Sequence, residues 1–319
     1  MKIRWSCLLF AVILVMGFNA TAGAASFPTK TITMYTSSSP GGGGDLPLRM
    51  LAKAMSSILG QPVVVENKVG GGGFLTGSAI ASAKPDGYTL GQFYTSGFTM
   101  APLLRNPPYD IFTFTPVASY GMYVFEFTVR QDSPWKTFQD FIGYAKQHPN
   151  VVTVSTCKPD SMENLPIWML QNQAGIKVKL VPLEEGPSVT SLLGGHVMAL
   201  TGVGQGIPMI REGKLRMLAT YLGQRMATFP DVPTLKELGY NIVVESVLAM
   251  YAPPGTPKDV VQILEDAFRK ASNDADFKKI ISNYEIMPVF RSASEIDKYH
   301  RTIAAEAKPI MIKLGMVKK

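Results

Sequence analysis

Short β-rich apolar runs alternate with helical patterns along most of this chain, and that alternation predicts an α/β architecture with largely parallel sheets. "TITMYT" at Thr31 precedes a helical pattern opening at Asp45, and "VVVE" at Val63 precedes another that runs to Ala83. "YTLGQFYT" follows at Tyr88, and "VASYGMYVFEFTV", "VVTVS", "VKLVP", "HVMALT", "LRMLAT" and "IVVESVLAMYA" read as further strands. After Pro257, the residues Val260, Ile263, Leu264, Ala267, Phe268 and Ala271 recur at helical spacing and predict a core-facing stripe. Near the C-terminus, Ser292 and Glu295 have capping-box spacing ahead of Ile296, Tyr299, Ile303 and Ala307 on one helical face.

Two strand-to-helix junctions are stripped of side chains, at Gly41–Gly44 and Gly70–Gly73. Glycine permits the sharp turn such a junction needs, and it also lets exposed amides at a helix N-terminus close around an anion. In open parallel sheets ligands sit beyond the carboxyl ends of strands, where both junctions fall, so the pair can line one cleft. Small hydroxyl side chains gather at the same strand ends: Ser37, Ser38 and Ser39, then Thr95, Ser96 and Thr99, then Ser155, Thr156 and Ser161.

Other chemistries lack their signatures. Neither glycine run fits G-x-G-x-x-G or the P-loop, and the "GTP" at Gly255 is a loop before a helix. There is no G-x-S-x-G, and His148, His196 and His300 lie far apart, with His300 expected to face solvent. No metal-ligand spacing occurs, and no metal or cofactor is expected. Cys157 follows a strand as a lone thiol.

The N-terminal residues carry Lys2 and Arg4, then an apolar run from Cys7 to Phe18, then small residues, which is the order of a secretory signal over residues 1–25. The run is about a dozen residues, short of the roughly 20 that a membrane-spanning helix needs. After cleavage 29 Lys and Arg face 24 Asp and Glu, scattered without a basic block, so nucleic acid is not an expected partner. One cysteine remains, no internal disulfide can form, and about 295 residues must hold themselves together by their core.

Taken in order, "ITMYTSSSPGGGGD", "LGQPVVVENKVGGGGFLTG", "AKPDGYTLG", "LLGGHV", "IREGKLRMLAT", "FPDVPTLKELG" and "YAPPGTP" resemble the Bug-type extracytoplasmic solute receptors of tripartite tricarboxylate transporters, over almost the whole mature chain. The resemblance implies a bilobed type II periplasmic-binding-protein fold in which two α/β lobes close on a small organic acid. It implies lobe 1 from residues 26–125 and 246–319, lobe 2 from residues 126–245, and delivery of the ligand by a monomeric periplasmic receptor to membrane permease subunits. The implied first-lobe contacts are Ser38, Ser39, Gly42, Gly43, Gly71, Gly72, Gly73, Thr95 and Ser96, with Asp45 at the family's helix-opening acid. On the second lobe the family's segment ending in His-Leu reads "STCKPDSMENL", keeping Thr156 and Ser161 as hydroxyls and placing Asn164 where histidine is usual. The family's tyrosine-lysine-glycine segment reads "LEEG", so Glu184 and Glu185 stand where a lysine would meet a second carboxylate. The family's acid after "LLGG-x-V" is absent, since Met198, Ala199 and Leu200 occupy that stretch. The alternatives are a ligand sensor docking to a signalling partner, which has the same closing cleft, and an exported enzyme on the same scaffold, for which no nucleophile with a base is found.

Overall fold

A computed structural model describes residues 27–70, 73–95, 107–156, 164–183, 185–313 and 317. The strands are β1 (Ile32–Thr36), β2 (Val63–Asn67), β3 (Thr89–Tyr94), β4 (Thr115–Tyr123), β5 (Glu126–Arg130), β6 (Thr153–Thr156), β7 (Lys179–Pro182), β8 (Ala199–Gly202), β9 (Leu215–Thr220), β10 (Ser246–Ala252), β11 (Ile286–Met287) and β12 (Arg291–Ser292). The helices are α1 (Asp45–Leu59), α2 (Phe74–Ala81), α3 (Phe138–Gln147), α4 (Leu165–Ala174), α5 (Glu185–Leu193), α6 (Ile207–Arg211), α7 (Lys258–Ala271), α8 (Ala275–Asn283) and α9 (Ala293–Lys313).

These strands form two sheets. The first runs β2-β1-β3-β10-β4-β11, with β12 also on β4, and the second runs β7-β6-β8-β5-β9. Each sheet holds a parallel trio, β2-β1-β3 and β7-β6-β8, and takes an antiparallel strand into its interior, β10 between β3 and β4 and β5 between β8 and β9; β11 and β12 also pair antiparallel with β4. The inserted strands are the first that the chain forms after each passage between sheets. "VASYGMYVFEFTV" therefore divides into β4 in one sheet and β5 in the other, with only Val124 and Phe125 between them, both buried. The return passes Tyr221, whose N–H donates to Phe125 O at 3.0 Å and whose carbonyl accepts from Val244 N–H at 2.8 Å. The molecule is thus bilobed, with the connections hydrogen-bonded to one another.

Residue by residue, β10 is buried, because its sheet is covered on both faces and the chain there has no solvent side. Leu264, Ala267, Phe268 and Ala271 of α7 pack with Leu48, Leu51 and Met55 of α1 on one face. Ile263, expected in the same stripe, is 37% exposed, at the edge of the face that Leu264 and Phe268 centre. On the other face, Phe93, Val247, Ala249 and Tyr251 share a cluster with Ile207, Met217 and Leu222 from the second half of the fold, so apolar packing is continuous across the connection.

The C-terminal helix α9 touches both halves. At its start Glu295 Oε2 accepts the Ser292 N–H at 2.8 Å and the Ser292 hydroxyl at 2.6 Å, and Ile296 packs in the cluster beside β10. Two to four turns later Ile303, Ala307 and Met311 enter the core of the second sheet, with Leu165 and Leu170 of α4. The far half of α9 thus packs on the core of the second sheet rather than beside β10. His300, expected in solvent, is wholly buried on this helix. Its Nδ1 meets the Tyr251 hydroxyl, and its Nε2 lies 3.3 Å from Thr95 Oγ1. Burial and the Arg291 charge push its imidazole down to about 3, so it is neutral.

Because Met311 is fully buried, Met311→Ala should destabilise the protein by about 2–5 kcal/mol in urea unfolding. A solvated tail would show a change within about 0.5 kcal/mol.

Candidate functional site

Between the lobes lies a cleft of about 670 Å³. Its first wall is the glycine junction after β1, with Ser38, Ser39 and Gly42–Gly44, joined by Tyr94, Tyr123 and Tyr284. Its second wall is Val203, Gly204, Gln205 and Pro208, the junction between β8 and α6.

The first wall is built around Asp45, the first residue of α1, which is 1% exposed. Its Oδ2 accepts the Gly41 amide at 2.8 Å and Arg49 Nε at 3.0 Å, and its Oδ1 accepts Asn67 Nδ2 at 2.8 Å. Asn67 Nδ2 also reaches Ser38 O at 2.9 Å, and Arg49 Nη2 donates to Asn67 Oδ1 at 2.7 Å. Burial alone would raise the Asp45 pKa, but the hydrogen bonds from Arg49, Gly41 and Asn67, with the Arg49 charge, hold it below its ordinary value. One network therefore fixes the ends of β1 and β2 to the start of α1.

That network changes which amides face the cleft. Gly41 has φ +80°, a conformation glycine takes without strain, and its N–H is taken by Asp45. The Gly42 N–H donates to Ser39 O at 3.0 Å. Among the described residues, the Gly43 and Gly44 amides find no acceptor within the chain, as expected of a helix N-terminus. Around them stand hydroxyls: Ser38 Oγ bonds the Tyr94 hydroxyl, and a Cβ at Gly43 would lie 3.0 Å from Tyr123 Oη. A Cβ at Gly44 would collide with Tyr94 Oη at 1.8 Å, so only glycine fits beneath that ring. Below, the buried Gln92 bonds Thr36 and Tyr120 and donates to Gly44 O at 3.3 Å, which sets the loop's height.

The second wall has the same construction with opposite electrostatics. Glu126, fully buried at the start of β5, accepts the Gly204 amide on Oε2 at 2.8 Å. Its Oε1 has no partner among the described residues and faces the space where Gly202 lacks a side chain. Burial pushes this carboxyl up to about 8 against the pull of the Gly204 and Gly206 amides, with the Glu285 charge adding to the rise. The walls meet at Glu285, which holds Arg211 of α6 in a two-pronged ion pair, its second contact Nη2 to Oε2 at 3.1 Å.

Of the residues singled out from sequence, Ser38, Ser39, Gly42 and Gly43 line the cleft. Gly73 caps α2 with φ +99° and donates to Gly70 O at 3.1 Å, turning the chain. Thr95 is buried behind the cleft, its Oγ1 accepting Val247 N–H at 2.8 Å. Thr156 ends β6 and Asn164 precedes α4, both buried, on either side of residues 157–163. Gly71, Gly72, Ser96, Ser161 and Glu184 lie outside the described residues, as does the side chain of Glu185. Sequence reasoning passed over Tyr94, Tyr123, Tyr284, Gln205 and Glu285. "GVGQGIP" at Gly202 carries the same glycine-rich strand-to-helix signal as the junctions at Gly41–Gly44 and Gly70–Gly73.

Two α/β lobes with crossed connections and an anion-favouring cleft define a solute-binding protein. The family model for the tripartite tricarboxylate transporter family receptor matches residues 48–316, and the chain belongs to that family, among its Bug-type receptors. The chain is 37% identical over 308 residues to the UPF0065 protein in the gbd 5' region of Cupriavidus necator, covering 94% of this chain and 92% of that one. It is 31% identical over 266 residues to protein BugT of Bordetella pertussis, covering 81% of each. A solved TctC solute binding protein from Polaromonas superposes with TM-score 0.85 at 26% identity, over 90% of this chain and all of that one. MatC from Rhodopseudomonas palustris with bound malate gives TM-score 0.69 at 26% identity, over 89% of this chain and 99% of that one.

The Glu126 carboxyl gives a pH signature. Its folded pKa of about 8 lies above the ordinary 4.5, so between these values the unfolded chain has lost a proton that the folded chain keeps, and stability falls as pH rises. Glu126→Gln should remove that fall, so the variant gains on the native protein from pH 5 to pH 8 in thermal unfolding. Parallel pH profiles would contradict a raised Glu126 pKa.

Proposed function

We propose that this protein is a periplasmic receptor that captures a small organic carboxylate between its lobes and delivers it to a tripartite tricarboxylate-type permease. The observation that carries the reading is the meeting of the Gly43 and Gly44 amides, at the N-terminus of a 15-residue helix, with the hydroxyls of Ser38, Ser39, Tyr94 and Tyr123. Helix amides and hydroxyls together supply donors and positive potential for an anion while leaving the chemistry of the ligand untouched. Malate in the related MatC supports a carboxylate as the ligand class. The signal-like order of residues 1–25 supports export.

The working units in this reading are residues 26–125 with the start of the 246–319 segment, and residues 126–245, strapped by α9. Closure needs a ligand that contacts both walls more favourably when they are together. Arg211 and Glu285 already span the walls, so the described state is one in which the lobes touch. Capture rather than turnover fits the neutral, buried His300, which is engaged by Tyr251 and Thr95 behind the cleft.

The test is calorimetric titration with carboxylates and their amides, beside Gly43→Val. The added side chain would press on Tyr123 Oη and occupy the space above the amides, so the variant should fold and lose at least about tenfold in affinity, roughly 1.4 kcal/mol. An amide analogue should bind at least about tenfold more weakly than its acid, since a charged hydrogen bond is worth about 1.5–3 kcal/mol. Equal binding of acid and amide would refute anion capture at this loop.

A further inference from the structure

We propose that the ligand is an aromatic monocarboxylate, its acid group on the Gly43 and Gly44 amides and its ring against the tyrosines; this rests on the carboxylate-receptor reading above. Tyr94 and Tyr123 stack with ring centroids 6.1 Å apart and planes 24° apart, and both are half-buried and line the cleft. Tyr284 completes the wall: a Cβ at Gly43 would lie 3.5 Å from its Cδ1 and 3.0 Å from Tyr123 Oη. A carboxylate on these amides would lie beside the Tyr123 hydroxyl and the edge of the Tyr284 ring, with the tyrosine rings lining the space beyond. Offset stacking and edge contacts favour a planar ring there over a flexible chain, which also loses more rotamer freedom on binding.

The opposite wall points the same way. Val203 and Pro208 offer apolar surface beside Gln205, whose Oε1 accepts the Val203 N–H and whose Nε2 reaches Ser188 Oγ at 3.5 Å. Glu285 is the one charged side chain among the described lining residues, and it is an acid engaged by Arg211. Among the described lining residues a second carboxylate would meet no free cation, because Arg211 beside the cleft is already paired with Glu285. Burying an unpaired charge is costly, whereas burying a ring against Val203 and Pro208 is favourable. The space of about 670 Å³ holds a substituted ring with accompanying water.

The experiment is calorimetric titration of the purified receptor with benzoate, 4-hydroxybenzoate, malate and adipate, repeated on Tyr123→Leu and Tyr284→Leu after thermal unfolding has shown that each variant folds. Either aromatic acid should bind at least about tenfold more tightly than both aliphatic diacids, and either leucine variant should cut that ratio at least about threefold. Malate or adipate binding as tightly as the aromatic acids overturns the aromatic assignment and leaves the receptor reading standing. An unchanged ratio in both folded variants also overturns it. Saturation by none of the four acids overturns both.

Discussion

A buried, ionised carboxylate holds the binding wall together. Asp45 sits where helix α1 begins and is reached by a backbone amide, a guanidinium and a side-chain amide from three different stretches of chain. Without Arg49 and Asn67 the same burial would leave an uncompensated charge, the kind of loss that costs several kcal/mol. With them, the ends of β1 and β2 are locked to the helix, and the glycine loop is held open over its last two amides. An acid at this position looks opposed to anion binding. Its charge is spent inside the network on Arg49 and Gly41, so the outer amides at Gly43 and Gly44 keep their donor capacity.

The second wall solves the same problem with a carboxyl that stays protonated. Glu126 supports the Gly202–Gly206 turn from beneath, with no arginine or lysine among the described residues acting on it, and burial raises its pKa. It lies just past the two-residue passage from β4 to β5, so the residue that shapes the second wall is also the one that begins the second sheet. A change in the angle between the lobes acts on this turn directly. The Arg211–Glu285 pair spans the same gap from the other side and is half-exposed at Arg211, where screening by water keeps such a pair weak enough to break and re-form.

Behind the cleft the lobes are tied by α9 and the hinge polar groups. Tyr299 donates to Glu245 O at 2.6 Å, Arg291 pairs with the Glu245 carboxylate, and His300 joins Thr95 to Tyr251. These contacts gather on the returning connection before β10. With apolar packing continuous from Val247 to Met217, they join the lobes along this edge.

Local pattern determined much of this in advance. Alternating strand and helix signals, the core stripe of α7, the cap of α9 and the glycine junction at Gly41–Gly44 were all readable, because each depends on spacing within a few residues. The bilobed arrangement was legible through the family motifs. Periodicity could not tell where β4 ends and β5 begins, since "VASYGMYVFEFTV" is apolar throughout and both sheets bury both faces of their central strands. Nor could it show that His300 is buried, because the partners that cover it, Tyr251 and Thr95, are 49 and 205 residues away. The glycines were visible, but which amides remain for a ligand was decided by Asp45 and Ser39 taking those of Gly41 and Gly42. The tyrosine wall was likewise settled by tertiary structure, where β3, β4 and the end of α8 bring together three residues that sequence scatters from 94 to 284. Spacing encodes local conformation; competition for hydrogen bonds and shared surface exists only once distant segments meet.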